Sequence, residues 1–151
     1  MNLPALLVAI CIGALLPLQA LVNARLGQRT QGGVFASLAS FAVGTTALLA
    51  LWALWRAPAP AGAVGIAQAP WWAWTGGLIG AAFVVAATVL VPRLGAAALI
   101  CLVVVGQLAG SLVLDHFGVL HPRQPVDALK LAGVALVGVG MLLVVRPWQA
   151  S

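Results

Sequence analysis

Five apolar stretches make up most of this chain and leave it few ways to fold. They cover residues 3–22, 34–55, 71–91, 96–114 and 128–145, each 18 to 22 residues long. A helix needs about 20 residues to cross the roughly 30 Å of hydrocarbon in a bilayer. Lys130 is the only charged residue inside any stretch, and it lies near enough to an end for its stem to carry the ammonium to the headgroups. The stretches predict an all-α, polytopic integral membrane protein. Five transmembrane helices would form a single transmembrane domain over 1–151.

Composition removes the alternatives. Hydrophobic residues are 64% and charged residues 6%, against roughly 45–50% and about 25% in soluble domains. So few charges cannot cover a soluble monomer, and so high an apolar content is incompatible with disorder. The seven basic residues (Arg25, Arg29, Arg56, Arg93, Arg123, Lys130 and Arg146) stand singly near the ends of apolar runs. Membrane proteins carry their charges there. A nucleic-acid footprint would be a basic patch or stripe, so no nucleic-acid partner is expected. Cys11 and Cys101 lie within apolar runs and read as packing residues. The first stretch lacks a basic segment before it, and Leu18-Gln19-Ala20 is a poor cleavage site. It is expected to be a retained helix rather than a signal peptide.

The connections differ in kind. Residues 23–33 carry Arg25 and Arg29. Residues 56–70 are rich in Ala and include Pro58, Pro60 and Pro70, as expected of a surface loop. Pro92-Arg93-Leu94-Gly95 is short enough to predict a tight antiparallel hairpin. Residues 115–127 hold both acids and both histidines. Trp52, Trp55, Trp71, Trp72 and Trp74 gather around one connection and mark one membrane interface, with Trp148 marking the other.

With five spans the termini lie on opposite sides. The N-terminal side then carries Arg56, Arg123 and Lys130, and the C-terminal side carries Arg25, Arg29, Arg93 and Arg146. The positive-inside rule leans toward a cytoplasmic C-terminus by a single residue. Two readings follow. Either other features, such as the first helix, fix the orientation, or the chain inserts both ways up. In the second case opposite copies can pair as an inverted-repeat homodimer, the architecture of many transporters, with a site near the midplane.

Small residues recur at four-residue spacing: Ala36, Ser40 and Gly44; Gly76 and Gly80; Gly106 and Gly110. Such rows let helices approach closely, and Gly44, Gly76, Gly80, Gly106 and Gly110 are expected to serve helix packing. Polar groups within spans are few. Gln19 and Asn23 stand one turn apart, just after Pro17, which removes a backbone donor and can kink the helix. Ser37, Ser40, Thr45 and Thr46 lie in the second span. Gln107, Ser111 and Asp115 form a stripe on one side of the fourth. Each group alone can serve as interhelical glue. Taken together, the stripe reads as lining a wet cavity, where polar groups at depth usually face. Substrate-path candidates are therefore Gln107, Ser111 and Asp115, with Gln19, Asn23 and Ser40 secondary.

Asp115 ends its helix, where the dipole disfavours a negative charge. The expected offset is His116 or an arginine; in an antiparallel dimer that arginine would be Arg25 or Arg29 of a second copy. Asp115 with His116 is the candidate for proton coupling, since histidine titrates near neutrality. No histidine lies within a span to activate a serine, and His116 and His121 have too few neighbours for a metal centre. Neither an enzyme nor any metal or cofactor is expected.

The run Gly106-Gln107-Leu108, Ser111-Leu112 and Asp115-His116-Phe117-Gly118 resembles the signature of the YdcZ-type family of small membrane proteins, within the drug/metabolite transporter superfamily. Ala36-Ser37-Leu38 to Ser40-Phe41 with Gly44-Thr45, Trp74 to Gly76-Gly77 with Gly80-Ala81, and Pro92-Arg93-Leu94-Gly95-Ala96 agree with it. The resemblance covers nearly the whole chain. It implies five transmembrane helices and an exporter of the bacterial inner membrane. Family members occur as single genes, paired genes and fused ten-helix chains, which is what dual insertion followed by duplication would produce. The chain would then be half of a ten-helix inverted-repeat transporter. Related small multidrug exporters carry an acidic residue in their first helix; this chain has none in any span, so a deep-carboxylate mechanism does not transfer. The expected function is export of a small molecule by an antiparallel homodimer, or by a heterodimer with a family paralogue. The rival expectation is a non-transporting subunit that assembles with another membrane protein.

Overall fold

The computed structural model describes residues 3–55 and 68–146. Arg56, Pro58, Pro60 and Trp148 lie outside the described residues. Five helices follow in order: α1 (Leu3–Arg29), α2 (Gly33–Leu54), α3 (Thr75–Leu94), α4 (Ala96–Phe117) and α5 (Ala128–Val145), with a short 3-10 turn at Trp71–Trp74 before α3. All five spans are long and apolar enough to cross a membrane. Among the described residues there is no strand.

The chain falls into two compact units, Met1–Pro92 and Arg93–Ser151. In the first, α1 runs through Pro17 and on to Arg29, past the expected end at residue 22. Hydropathy stops at Val22, but Asn23, Arg25, Gln28 and Arg29 keep helical backbone. What ends the helix is a glycine turn. The Gly27 carbonyl accepts from the N–H groups of Thr30 at 3.4 Å and Gly32 at 3.2 Å. Gly32 has φ +96°, a conformation that favours glycine. A Cβ at Gly27 would lie 3.1 Å from Gly32 C and Gly33 N. The next helix therefore starts four residues after α1 ends, as an αα-hairpin.

Small side chains close this hairpin. Ala20, Asn23, Ala24 and Gly27 of α1 are buried, as are Ala36 and Ser37 of α2 and Ala87, Thr88 and Val91 of α3. A Cβ at Gly33 would meet Val89 Cγ2 at 3.0 Å and Thr88 Cγ2 at 3.4 Å, so α3 comes against the start of α2. Packing here follows the rule for membrane helices, in which small residues let backbones approach. The glycines in close contact are Gly27 and Gly33. A Cβ at Gly44, Gly76, Gly106 or Gly110 would meet nothing within 4 Å, and one at Gly80 only the Phe41 ring at 3.9 Å. Packing by those glycines is thus not seen within a unit.

Trp71 and Trp72 sit on the 3-10 turn, whose Trp72 carbonyl accepts from the Thr75 hydroxyl at 2.7 Å. These rings, with Trp52, Trp55 and Trp74, are exposed, which suits rings held at headgroup depth. Only Gly95 separates α3 from α4, where a four-residue connection was expected. It has φ +78°, and its carbonyl accepts the first bond of α4, from Leu99 N–H at 3.1 Å.

In the second unit α4 packs on α5. Gly118, with φ +67°, ends α4 in the left-handed conformation typical of helix stops. The N–H of Val119 reaches the Leu114 carbonyl at 3.0 Å. Asp127 caps α5, its carboxylate accepting from Lys130 N–H at 2.8 Å. No residue of α5 is buried. Its large apolar surface is affordable because the surrounding phase is hydrocarbon, in which only the backbone must be satisfied internally.

Candidate functional site

Polar groups collect in two places, one per unit. In the first unit Gln19, Ser40, Phe41, Gly44, Thr45 and Leu48 border a groove of about 190 Å³ between α1 and α2. The hairpin turn brings Gln19 and Ser40 together, as their distances from the turn require. One helical turn from Gln19 lies Asn23, 4% exposed, whose Nδ2 is buried with no partner. A buried unsatisfied donor costs about 1–3 kcal/mol. Ser37 donates to the Gly33 carbonyl at 2.8 Å and lies 3.4 Å from the Thr88 hydroxyl. Asn23, Ser37 and Thr88 are the buried polar residues among those described. Sequence reasoning missed Thr88, a lone hydroxyl in an apolar run, with no periodicity to mark its buried face.

In the second unit the stripe divides. Gln107 and Ser111 are exposed and Asp115 is half-buried. The Ser111 hydroxyl donates to the Leu108 carbonyl of its own helix at 3.0 Å, which satisfies its proton without a neighbour. Gln107 stands at the middle of α4, flanked by the exposed Gly106 and Gly110.

Asp115 meets the connection that follows α4. Its partner is His121, with Nε2 3.0 Å from Oδ1 and both side chains about a third exposed, at 36% and 35%. This is the ion pair seen among the described residues; within the chain neither His116 nor an arginine fills that place. The reason is the turn at Gly118, which reverses the chain so that the residue six positions on lies back over the helix end. His116 does other work. Its carbonyl accepts from Arg123 Nε at 2.7 Å, and its Nδ1 accepts from Val126 N–H at 3.5 Å. The Gln124 N–H reaches the Asp115 carbonyl at 2.8 Å. The guanidinium of Arg123 therefore sits where the dipole of α4 favours a cation. The helix stop at Gly118 was the sequence signal that could have placed His121.

No curated protein and no solved structure matches the chain. The family model described as "Putative inner membrane exporter, YdcZ" matches residues 4–143, nearly the whole chain and all five helices. That match agrees with the five spans and places the protein in the inner membrane as a multi-pass protein of a transporter rather than an enzyme family. The chain belongs to the YdcZ family.

Proposed function

We propose that the chain is one protomer of a small-molecule exporter and works as an antiparallel dimer. The observation that carries this reading is Gln107, a primary amide exposed at the middle of α4 in an otherwise apolar helix. Such a group at bilayer depth calls for a wet path or a second copy. Ser111 and Asp115 continue from it toward the membrane surface. They line the path, with Gln19, Asn23 and Ser40 as a second polar surface in the other unit. The near balance of basic residues between the two sides supports insertion in both orientations. Asp115, which His121 meets at 3.0 Å, marks the end of the path where protons would be exchanged.

Two measurements test this in a background with Cys11→Ala and Cys101→Ala. The C-terminus is fused separately to reporters active only inside and only outside the cytoplasm. Strong signal from both supports dual insertion, and signal from one refutes the antiparallel homodimer. Single-cysteine chains are then treated with a membrane-impermeant thiol reagent. Gln107→Cys and Ser111→Cys react, and Val113→Cys, on the other side of the helix, does not. If all three stay unlabelled, the path does not run along this stripe.

A further inference from the structure

His121 has an unusual pair of neighbours. Its Nδ1 lies 2.8 Å from the Pro122 carbonyl oxygen, and its Nε2 lies 3.0 Å from Asp115 Oδ1. A carbonyl oxygen only accepts, and so does an ionised carboxylate. A neutral imidazole has one N–H and one lone pair. Against two acceptors it satisfies one contact and turns a lone pair onto an oxygen in the other. Both contacts become hydrogen bonds only when the pair holds one additional proton. That proton sits on Nε2, giving imidazolium and carboxylate, or on Asp115, giving a neutral acid that donates to Nε2 while Nδ1–H stays on Pro122. The geometry fits either placement and excludes neither.

We propose that Asp115 and His121 form a one-proton binding site that latches the 118–127 connection onto the end of α4, and that loss of the proton, by costing one of its two contacts, loosens it. The chemistry is a single transfer. The Nε2–H bond (or the carboxyl O–H bond) breaks, the proton passes to water, and the bonding electron pair stays behind as a lone pair. The one N–H left on the imidazole then serves either Asp115 or the Pro122 carbonyl, and the other contact, at 3.0 or 2.8 Å, sets a lone pair against an oxygen and is repulsive. What the latch restrains is a strained turn. Leu120 has φ +66°, a conformation rare for leucine. A Cβ at Gly118 would lie 3.1 Å from the Arg123 backbone nitrogen, so the turn is folded tightly on itself. Gln124 N–H on the Asp115 carbonyl and Arg123 Nε on the His116 carbonyl depend on that closed turn.

The other charged and titratable groups around the turn are engaged elsewhere. Arg123 is on the His116 carbonyl. Asp127 caps α5, and Lys130 Nζ donates to the Pro125 carbonyl at 3.3 Å. His116 works in the opposite sense, because its Nδ1 accepts from Val126 N–H only when unprotonated. Coupling of this proton to transport rests on the exporter reading above; the proton site itself does not.

The test is amide hydrogen exchange on the full chain in lipid nanodiscs from pH 5 to pH 9, corrected for the intrinsic pH dependence of exchange. In the wild type, protection of the Gln124 amide falls at least about tenfold as pH rises, as a charge-assisted bond is lost. In Asp115→Asn the side-chain amide donates to a neutral Nε2 and Nδ1–H stays on Pro122, so protection is high at every pH. His121→Gln donates to Asp115 at every pH and gives the same flat, high profile. Asp115→Ala gives a flat, low one. A flat wild-type profile overturns the proposal, and so does a profile in both Asp115→Asn and His121→Gln that falls like the wild type's. Because no transport is measured, failure here leaves the exporter reading standing, and failure of the topology and labelling tests leaves the proton site standing.

Discussion

Gly27→Ala is expected to destabilise the first unit even though alanine is the better helix former. Within a helix, alanine is favoured over glycine by about 0.8–1.0 kcal/mol. Against this stands the turn. The new methyl would lie 3.1 Å from Gly32 C, 3.1 Å from Gly33 N and 3.2 Å from the Gly32 carbonyl oxygen. All three are backbone atoms, so no side chain can swing aside, and Gly32 already holds φ +96°. Relief requires the turn to open, which lengthens the 3.2 Å bond from Gly32 N–H to the Gly27 carbonyl. Overpacking of this kind costs typically about 1–3 kcal/mol. The net is a loss of up to about 2 kcal/mol. Gly13 supplies the control, because a methyl there meets nothing within 4 Å and only the propensity gain remains. The assay is thermal unfolding in nanodiscs of wild type, Gly13→Ala and Gly27→Ala. The expected order of stability is Gly13→Ala, then wild type, then Gly27→Ala. A Gly27→Ala protein as stable as Gly13→Ala would show that the turn is looser than its distances imply.

Asp127→Ala removes the side-chain cap of α5 and should cost about 1 kcal/mol, read as a lower unfolding temperature; Asp127→Asn, which can still accept from Lys130 N–H, should lose less than half of that. Asn23→Leu replaces an unpartnered buried donor with an apolar group of similar size. It should be neutral or stabilising in thermal unfolding, because the cost of about 1–3 kcal/mol for the unsatisfied amide disappears. A clear loss of stability would mean that Asn23 has a partner in the membrane.

The fold was legible because hydrocarbon admits so few structures. The span at 128–145 coincides with α5, and the others differ at their ends for identifiable reasons. Hydropathy marks where a chain leaves the apolar phase, whereas a helix ends where its hydrogen bonds end. At α1 the two points are seven residues apart, since the stop belongs to Gly27 and Gly32 rather than to Val22. The site was legible in part. Gln19 and Ser40 were both legible as candidates, and the short turn brings them to one groove. His121 could not be paired with Asp115 from helical spacing, because six residues is no helical neighbour distance; the pairing exists through the reversal at Gly118. Thr88 gave no signal, as one hydroxyl among apolar residues says nothing about which side of α3 is buried.

Hydroxyls and amides carry different meaning in these spans. A hydroxyl can return its proton to the carbonyl one turn back. Thr46 does so to Ala42 at 2.9 Å, Ser37 to Gly33 at 2.8 Å, and Ser111 to Leu108 at 3.0 Å. Such groups can sit anywhere on a helix at little cost. A primary amide has two donor hydrogens and an acceptor, and the middle of a helix offers it no free backbone group. The amides are therefore the polar groups that need something beyond their own helix. Asn23 is buried without a partner for Nδ2, Gln19 borders a groove, and Gln107 is exposed at mid-helix. If the hydroxyls were the working groups, Ser40→Ala and Ser111→Ala would disable the protein and the amide substitutions would not. On the exporter reading the reverse is expected in a transport assay: loss of function concentrates at substitutions of Gln19, Asn23 and Gln107, while Ser111→Ala, whose hydroxyl already bonds its own helix, is close to silent.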